Sequence, residues 1–203
     1  MALTVFRRGL LVWVLVATAL TVPFIAAANS PLLAWREPIY VLAGFAGITG
    51  LALLLMQPLL ARGILPGLSL LTSRHAHRWI GAALVASVVI HVGGLWVTSP
   101  PDVVDALLFR SPTSFSVWGV IAMWAVFASA LLAAGRRRFR LRPMTWRRAH
   151  AGLGAVIVAG TVLHALLIQG TMEPWSKLGL CALVVAATAL VFAGRKRLTN
   201  RPR

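Results

Sequence analysis

HRWIGAALVASVVIH, residues 77–91, and HAGLGAVIVAGTVLH, residues 150–164, each begin and end with histidine. The 203 residues contain five histidines, and four of them frame these two windows. Between them lie small and apolar side chains, with Arg78, Ser87 and Thr161 as the polar exceptions. The fold follows from asking what medium tolerates such segments and what the repeated spacing accomplishes there.

The rest of the chain supplies the medium. It is 59% hydrophobic and 12% charged, with a mean hydropathy of +0.85. A soluble domain is roughly 45–50% apolar and about 25% charged. Apolar runs of about 18 or more residues read as membrane-spanning helices. Six occur, at about 9–28, 38–60, 79–98, 115–135, 149–169 and 177–194. All six are read as helices, because an isolated span must satisfy its own backbone in lipid. The expectation is an all-α membrane protein, one six-helix bundle over residues 1–203, with both termini cytoplasmic. Arg7 and Arg8 precede a first run that ends Ala26-Ala27-Ala28, which also fits a cleaved signal peptide. The run is longer than a signal core, so a retained helix is expected.

Charge placement sets the orientation. With the N-terminus inside, 17 of the 20 basic residues fall on the inner side. They are Arg7, Arg8, Arg62, Arg74, Arg78, Arg136, Arg137, Arg138, Arg140, Arg142, Arg147, Arg148, Arg195, Lys196, Arg197, Arg201 and Arg203. All four acids, Glu37, Asp102, Asp105 and Glu173, fall outside with Arg36, Arg110 and Lys177. This is a positive-inside pattern. The net charge of +16 is therefore a topology signal with some anionic-lipid contact, not a nucleic-acid footprint. The single cysteine, Cys181, lies in an apolar run and reads as a small core residue. The longest outer connection, TSPPDVVDALLFRSPTSFS, contains DVVDALLF, which suits a short amphipathic turn at the membrane surface.

Helix geometry explains the spacing. Fourteen residues advance about 40° short of four turns and rise about 21 Å. His77 and His91 thus share one face of the third span, and His150 and His164 one face of the fifth. Both spans run from inside to outside, so His77 lies at the depth of His150 and His91 at that of His164. Facing helices then present two imidazole pairs, stacked across the bilayer. A planar metal macrocycle with two axial nitrogen ligands suits such pairs, and haem iron takes histidine axially. Gly81 and Gly154 follow each leading histidine by four residues, and Ser87 and Gly160 precede each trailing one by four. These small residues offer clearance for a flat ring, or close helix packing. His75 is about 160° out of phase with His91 and reads as a loop or interface histidine.

The arrangement resembles the ferric reductase-like transmembrane domain, shared by ferric reductases, NADPH oxidases and the haem subunit of the bacterial methionine sulfoxide reductase system. Six spans, HRWIG…H in the third and WRRAH…H in the fifth carry the resemblance, which covers nearly the whole chain. It implies two b-type haems that pass electrons across the membrane. His77 and His150 would ligate the inner iron, and His91 and His164 the outer one, with Gly81 and Gly154 beside the rings. Ferric reductases and NADPH oxidases usually carry a flavin and nicotinamide module. No GxGxxG occurs here, so a haem-binding membrane subunit of an oxidoreductase is expected. That places the chain nearer the stand-alone methionine sulfoxide reductase subunit, which typically lacks a histidine at the position of His77.

The expected donor is a cytoplasmic flavin reductase or quinol, with FMN or quinone at the cytoplasmic face. The expected acceptor is an outside redox partner. The Arg-rich segment 136–148 suits a flavin phosphate or an acidic reductase, and equally suits topology determination alone. Trp79 and Trp146 read as aromatic-belt anchors. Trp96, Trp118 and Trp124 suit packing around the outer haem, or plain core filling. A proton transporter would want intramembrane carboxylates, and none exists. A haem sensor or haem-handling protein and a colourless scaffold are the other rivals. Arg-over-Lys usage points to a bacterial inner membrane.

Overall fold

The computed structural model describes residues 2–136, 138 and 140–199, with side chains between 7 and 193. Arg137 and the tail residues Arg195, Lys196, Arg197, Arg201 and Arg203, counted above on the inner side, lie outside the residues so described.

Seven α-helices and one 3-10 turn follow in order: α1 (Ala2–Ala28), the turn Pro31–Leu33, α2 (Pro38–Arg62), α3 (Leu70–Thr98), α4 (Pro100–Leu107), α5 (Ser114–Ala134), α6 (Pro143–Leu167) and α7 (Pro174–Thr199). No strand occurs among the described residues. Every helix but α4 is long and apolar enough to cross a membrane, which gives the six expected spans. Proline opens α2, α4, α6 and α7, where its missing N–H has no helical partner to lose. α2 stops at Gly63, whose φ of 64° is left-handed and whose N–H bonds back to Leu59 and Leu60. The Ser69 hydroxyl accepts from Thr72 N–H at 3.1 Å and starts α3. The Glu173 carboxylate accepts from the N–H groups of Trp175 and Ser176, each at 2.8 Å, and starts α7. These two bonds, Ser176 first, hold its carboxyl below the usual carboxylate range.

Three spans begin well before the start that hydropathy suggests; α1 starts at Ala2, not near 9. α3 starts at Leu70, not near 79, and α6 at Pro143, not near 149. The first turns of α3 and α6 carry Arg74, His75 and Arg78, and Arg147 and Arg148, which an apolar window rejects but a helix accepts. His75 is consequently an exposed helical residue, not a loop histidine. The DVVDALLF stretch forms the short helix α4.

α2 is central. Half of its span is buried, against 11% for that of α3. It packs on α3, α7 and α1, while α5 packs on α6 and α6 on α7. The core joins Leu51, Leu54 and Leu55 of α2 to Leu84, Val126, Ile157 and Val184, and Cys181 is buried among them as expected. α1 lies at the periphery, held by a Phe24–Phe45 ring stack and by the Trp13 indole N–H donating to Pro66 O at 3.1 Å. The fold collects Arg62, Arg74, Arg78, Arg136, Arg142, Arg147 and Arg148 at one end, and Glu37, Asp102, Asp105 and Glu173 at the other.

Candidate functional site

The four framing histidines meet as two pairs. The ring centres of His77 and His150 lie 6.2 Å apart at an interplanar angle of 75°. Those of His91 and His164 lie 6.3 Å apart at 80°. α3 and α6 therefore run parallel, and the pairing by depth expected from the spacing is present. The first pair sits toward the Arg-rich end and the second toward the acid-bearing end.

Each ring is anchored through Nδ1 by the antiparallel neighbour of its own helix. His77 Nδ1 donates to Gln57 O at 3.2 Å, His91 Nδ1 to Ala43 O at 2.8 Å, and His164 Nδ1 to Phe115 O at 2.9 Å. A carbonyl can only accept, so in these three rings Nδ1 carries the proton and Nε2 the lone pair. His150 Nδ1 instead meets the Ser129 hydroxyl at 3.0 Å. Gln57 clamps α3 a second time, its amide donating to His77 O at 3.3 Å.

Two glycines make the close approach possible. A Cβ on Gly47 would meet His91 Nδ1 at 3.0 Å, and one on Gly119 would meet His164 Nδ1 at 2.6 Å. Gly47 follows Ala43 by four residues and Gly119 follows Phe115 by four, one turn along the same face. Each imidazole reaches a carbonyl across the gap left by the missing side chain.

These contacts reveal an internal repeat. Ala43, Gly47 and Gln57 of α2 correspond to Phe115, Gly119 and Ser129 of α5 at a constant offset. His77 and His91 of α3 correspond to His150 and His164 of α6 at an offset one residue longer. The α2–α3 hairpin and the α5–α6 hairpin are two copies of one device, facing each other through their histidines. Sequence reading found the histidines but missed Gly47, Gly119, Gln57 and Ser129. The available signal was a glycine in the interior of a helix, which costs about 1 kcal/mol and asks for a reason.

The small residues expected beside a ring divide. A Cβ on Gly154 would meet nothing within 4 Å, so it borders open space, and one on Gly81 would meet only the Gln57 amide at 3.5 Å. A Cβ on Gly160 would strike Trp118 O at 2.9 Å, so that glycine serves the α5–α6 crossing. Ser87 is buried and donates to Ala83 O at 2.9 Å.

A cavity of about 480 Å³ opens beside the second pair. His91, His164, Gly47 and Gly119 line it, as do Leu54 and Ile157 deeper in and Asp102, Ser111, Thr113, Ser116 and Lys177 toward the acid-bearing end. Neither His77 nor His150 lines it, and neither do Trp96, Trp118 or Trp124. Trp96 and Trp124 are about half exposed and face outward with the belt residue Trp79.

Trp146 is no plain belt anchor. Its ring stacks on His150 at 5.3 Å and 7°, one turn away on α6. The Arg136 guanidinium lies over the Trp146 ring at 4.5 Å, and the indole N–H donates to Leu132 O at 3.3 Å. No cluster of three or more His, Cys, Asp or Glu able to hold a bare metal ion occurs among the described residues.

Residues 44–162 match the family described as ferric reductase like transmembrane component, a segment that holds Gly47, Gly119 and three of the paired histidines. No curated protein and no solved structure matches the chain. With well over half of its length inside that family's domain, the chain belongs to the ferric reductase-like transmembrane family.

Proposed function

We propose that this chain is a di-haem b-type membrane cytochrome, the membrane component of a reductase system. The facing of two histidine pairs on parallel spans carries the reading. Two nitrogens trans on one metal, each about 2 Å from it, put their ring centres roughly 6 Å apart. Both pairs have that separation. A metal-bound histidine characteristically donates its other ring N–H to a carbonyl, carboxylate or water, which fixes the tautomer and orients the ring. His77, His91 and His164 do so to backbone carbonyls, and His150 is partnered by Ser129. His77 with His150, and His91 with His164, would hold the iron of each haem. Bound haem supplies reversible one-electron chemistry at each level.

The protein's part is to hold the rings and exclude water. Carbonyls of α2 and α5 fix ring orientation, and the leucine and isoleucine walls of the cavity keep the second pair dry. The Arg-rich end suits a flavin reductase, a quinol or an FMN phosphate as donor, with an acceptor at the opposite end. By the positive-inside rule the Arg-rich end is the cytoplasmic one in this reading, and the Arg-over-Lys usage points to a bacterial inner membrane. That the cavity reaches only His91 and His164 favours one alternative, a single-haem binding or haem-handling protein without vectorial transfer.

A reduced-minus-oxidised visible spectrum of the purified chain, with haem and protein quantified together, tests both. Two low-spin b-type haems per chain, each removed by a single His→Ala change in its pair, support the conduit. One haem lost only with His91 or His164 supports the alternative. A colourless protein from haem-replete cells overturns both.

A further inference from the structure

The cavity beside His91 and His164 is lined by a cation that has no counter-ion among the described residues. Lys177, half-buried near the start of α7, donates through Nζ to Ile168 O at 2.8 Å, at the C-terminal end of α6. An ammonium has three N–H donors. This one uses a single donor among the described residues, and no carboxylate pairs with it there. The acids nearby are engaged elsewhere. Asp102, also on the cavity wall, accepts from Ser99 Oγ at 2.6 Å, and the Glu173 carboxylate caps the first turn of α7. A charge bordering an apolar cavity calls for a partner of opposite sign. Three hydroxyls also line the cavity, those of Ser111, Thr113 and Ser116, hydrogen-bonded to one another. Hydroxyl rotors can turn to donate to an arriving anion.

We infer that this cavity takes a carboxylate-bearing ligand, with Lys177 as the cation that receives the carboxylate and the three hydroxyls as its hydrogen-bond partners. The inference rests on the haem reading above, in which the carboxylates are the propionate arms of the macrocycle at the His91–His164 pair. A free organic acid arriving at the acid-bearing end has the same chemistry, and the test separates the two sources.

The full-length chain carrying H77A and H150A, which leaves only the second pair to ligate, is prepared without haem. It is titrated with haem b and with haem dimethyl ester, in which both propionates are blocked. With Lys177 present, haem b is expected to bind about tenfold or more tighter than the ester. K177M is expected to erase that preference and K177R to keep it. Benzoate is then added to the loaded protein and the Soret band followed. A benzoate response that requires Lys177, with no preference for haem b over its ester, identifies a free acid as the source. A preference and a benzoate response both unchanged in K177M overturn the inference, and a change in thermal unfolding alone would then make Lys177 a cap for α6. Failure of the unaltered chain to take up haem b overturns the haem reading, and this inference with it.

Discussion

His164 lies directly over Gly119, so closely that a methyl group on the glycine would stand 2.6 Å from the ring's Nδ1. His91 stands in the same relation to Gly47 at 3.0 Å. Gly119→Ala must therefore push the imidazole off Phe115 O or part α5 from α6. The expected cost is about 1–3 kcal/mol of stability, as for other overpacked cores. Gly47→Ala is expected to be milder, because a shift of a few tenths of an ångström relieves it. Haem retained per chain and thermal unfolding of the two variants check the order; an equal or reversed effect argues against the ring positions.

The partners of His77 and His150 differ, and so should their sensitivity. Gln57→Leu deletes the amide bond to His77 O but leaves the backbone carbonyl that orients the ring. Its effect should be about 0.5–1.5 kcal/mol of stability, with the ligand set intact. Ser129→Ala removes the group that meets His150 Nδ1. It is expected to alter the spectrum or midpoint potential of the inner site, where Gln57→Leu does not. Redox titration of both variants tells them apart.

Trp146 positions His150 by stacking and is itself held by Arg136. Trp146→Ala should loosen the His150 ring and broaden the spectrum of the inner site, Trp146→Phe should largely restore it, and Arg136→Ala should act in the same direction more weakly. The aromatic contact is worth about 0.5–1.5 kcal/mol. An Ala variant spectroscopically identical to the parent would return Trp146 to the role of a belt anchor.

Glu173 gives the acid-bearing end a pH dependence. Its folded carboxyl titrates below its ordinary value of 4.5 because two backbone N–H groups bond the charged form. The cap's contribution is therefore complete above that ordinary value. It is lost as pH falls from there through the lower folded value. Unfolding temperature measured from neutral to acid pH should drop less steeply in Glu173→Gln than in the parent. Parallel curves would show that the cap does not couple to α7 stability.

The histidine pairs were legible because two quantities suffice to place them, a fourteen-residue spacing and the direction of each span. Hydropathy located all six spans but misjudged the starts of α1, α3 and α6, since it rejects arginines that a helix tolerates at the membrane surface. That error hid Trp146, which seemed to precede its helix and in fact lies one turn before His150 within it. Gly47 and Gly119 were visible only as unexplained glycines in helix interiors, for another reason. They carry no chemistry, and what matters is the space they leave for a ring contributed by a different helix, which no local pattern displays. The repeat relating α2–α3 to α5–α6 was half visible in the histidines; its other half is written in main-chain contacts that have no residue signature.

Three of the four imidazoles are steered by main-chain oxygens, and no codon change can delete a main-chain oxygen. The oxygens at 43, 57 and 115 persist whatever side chain stands there. The side chains themselves are held for other reasons: Ala43 is fully buried against Gly94, Phe115 lies edge-on to His164, and the Gln57 amide bonds His77 O. Selection can act on those bonds only indirectly, through the packing around the rings, above all at Gly47 and Gly119, where a Cβ would crowd the imidazole. The lineage of such a protein should keep its histidines and the small residues at the close approaches, Gly47, Gly94, Gly119 and Gly160, and vary most on the exposed faces of both hairpins.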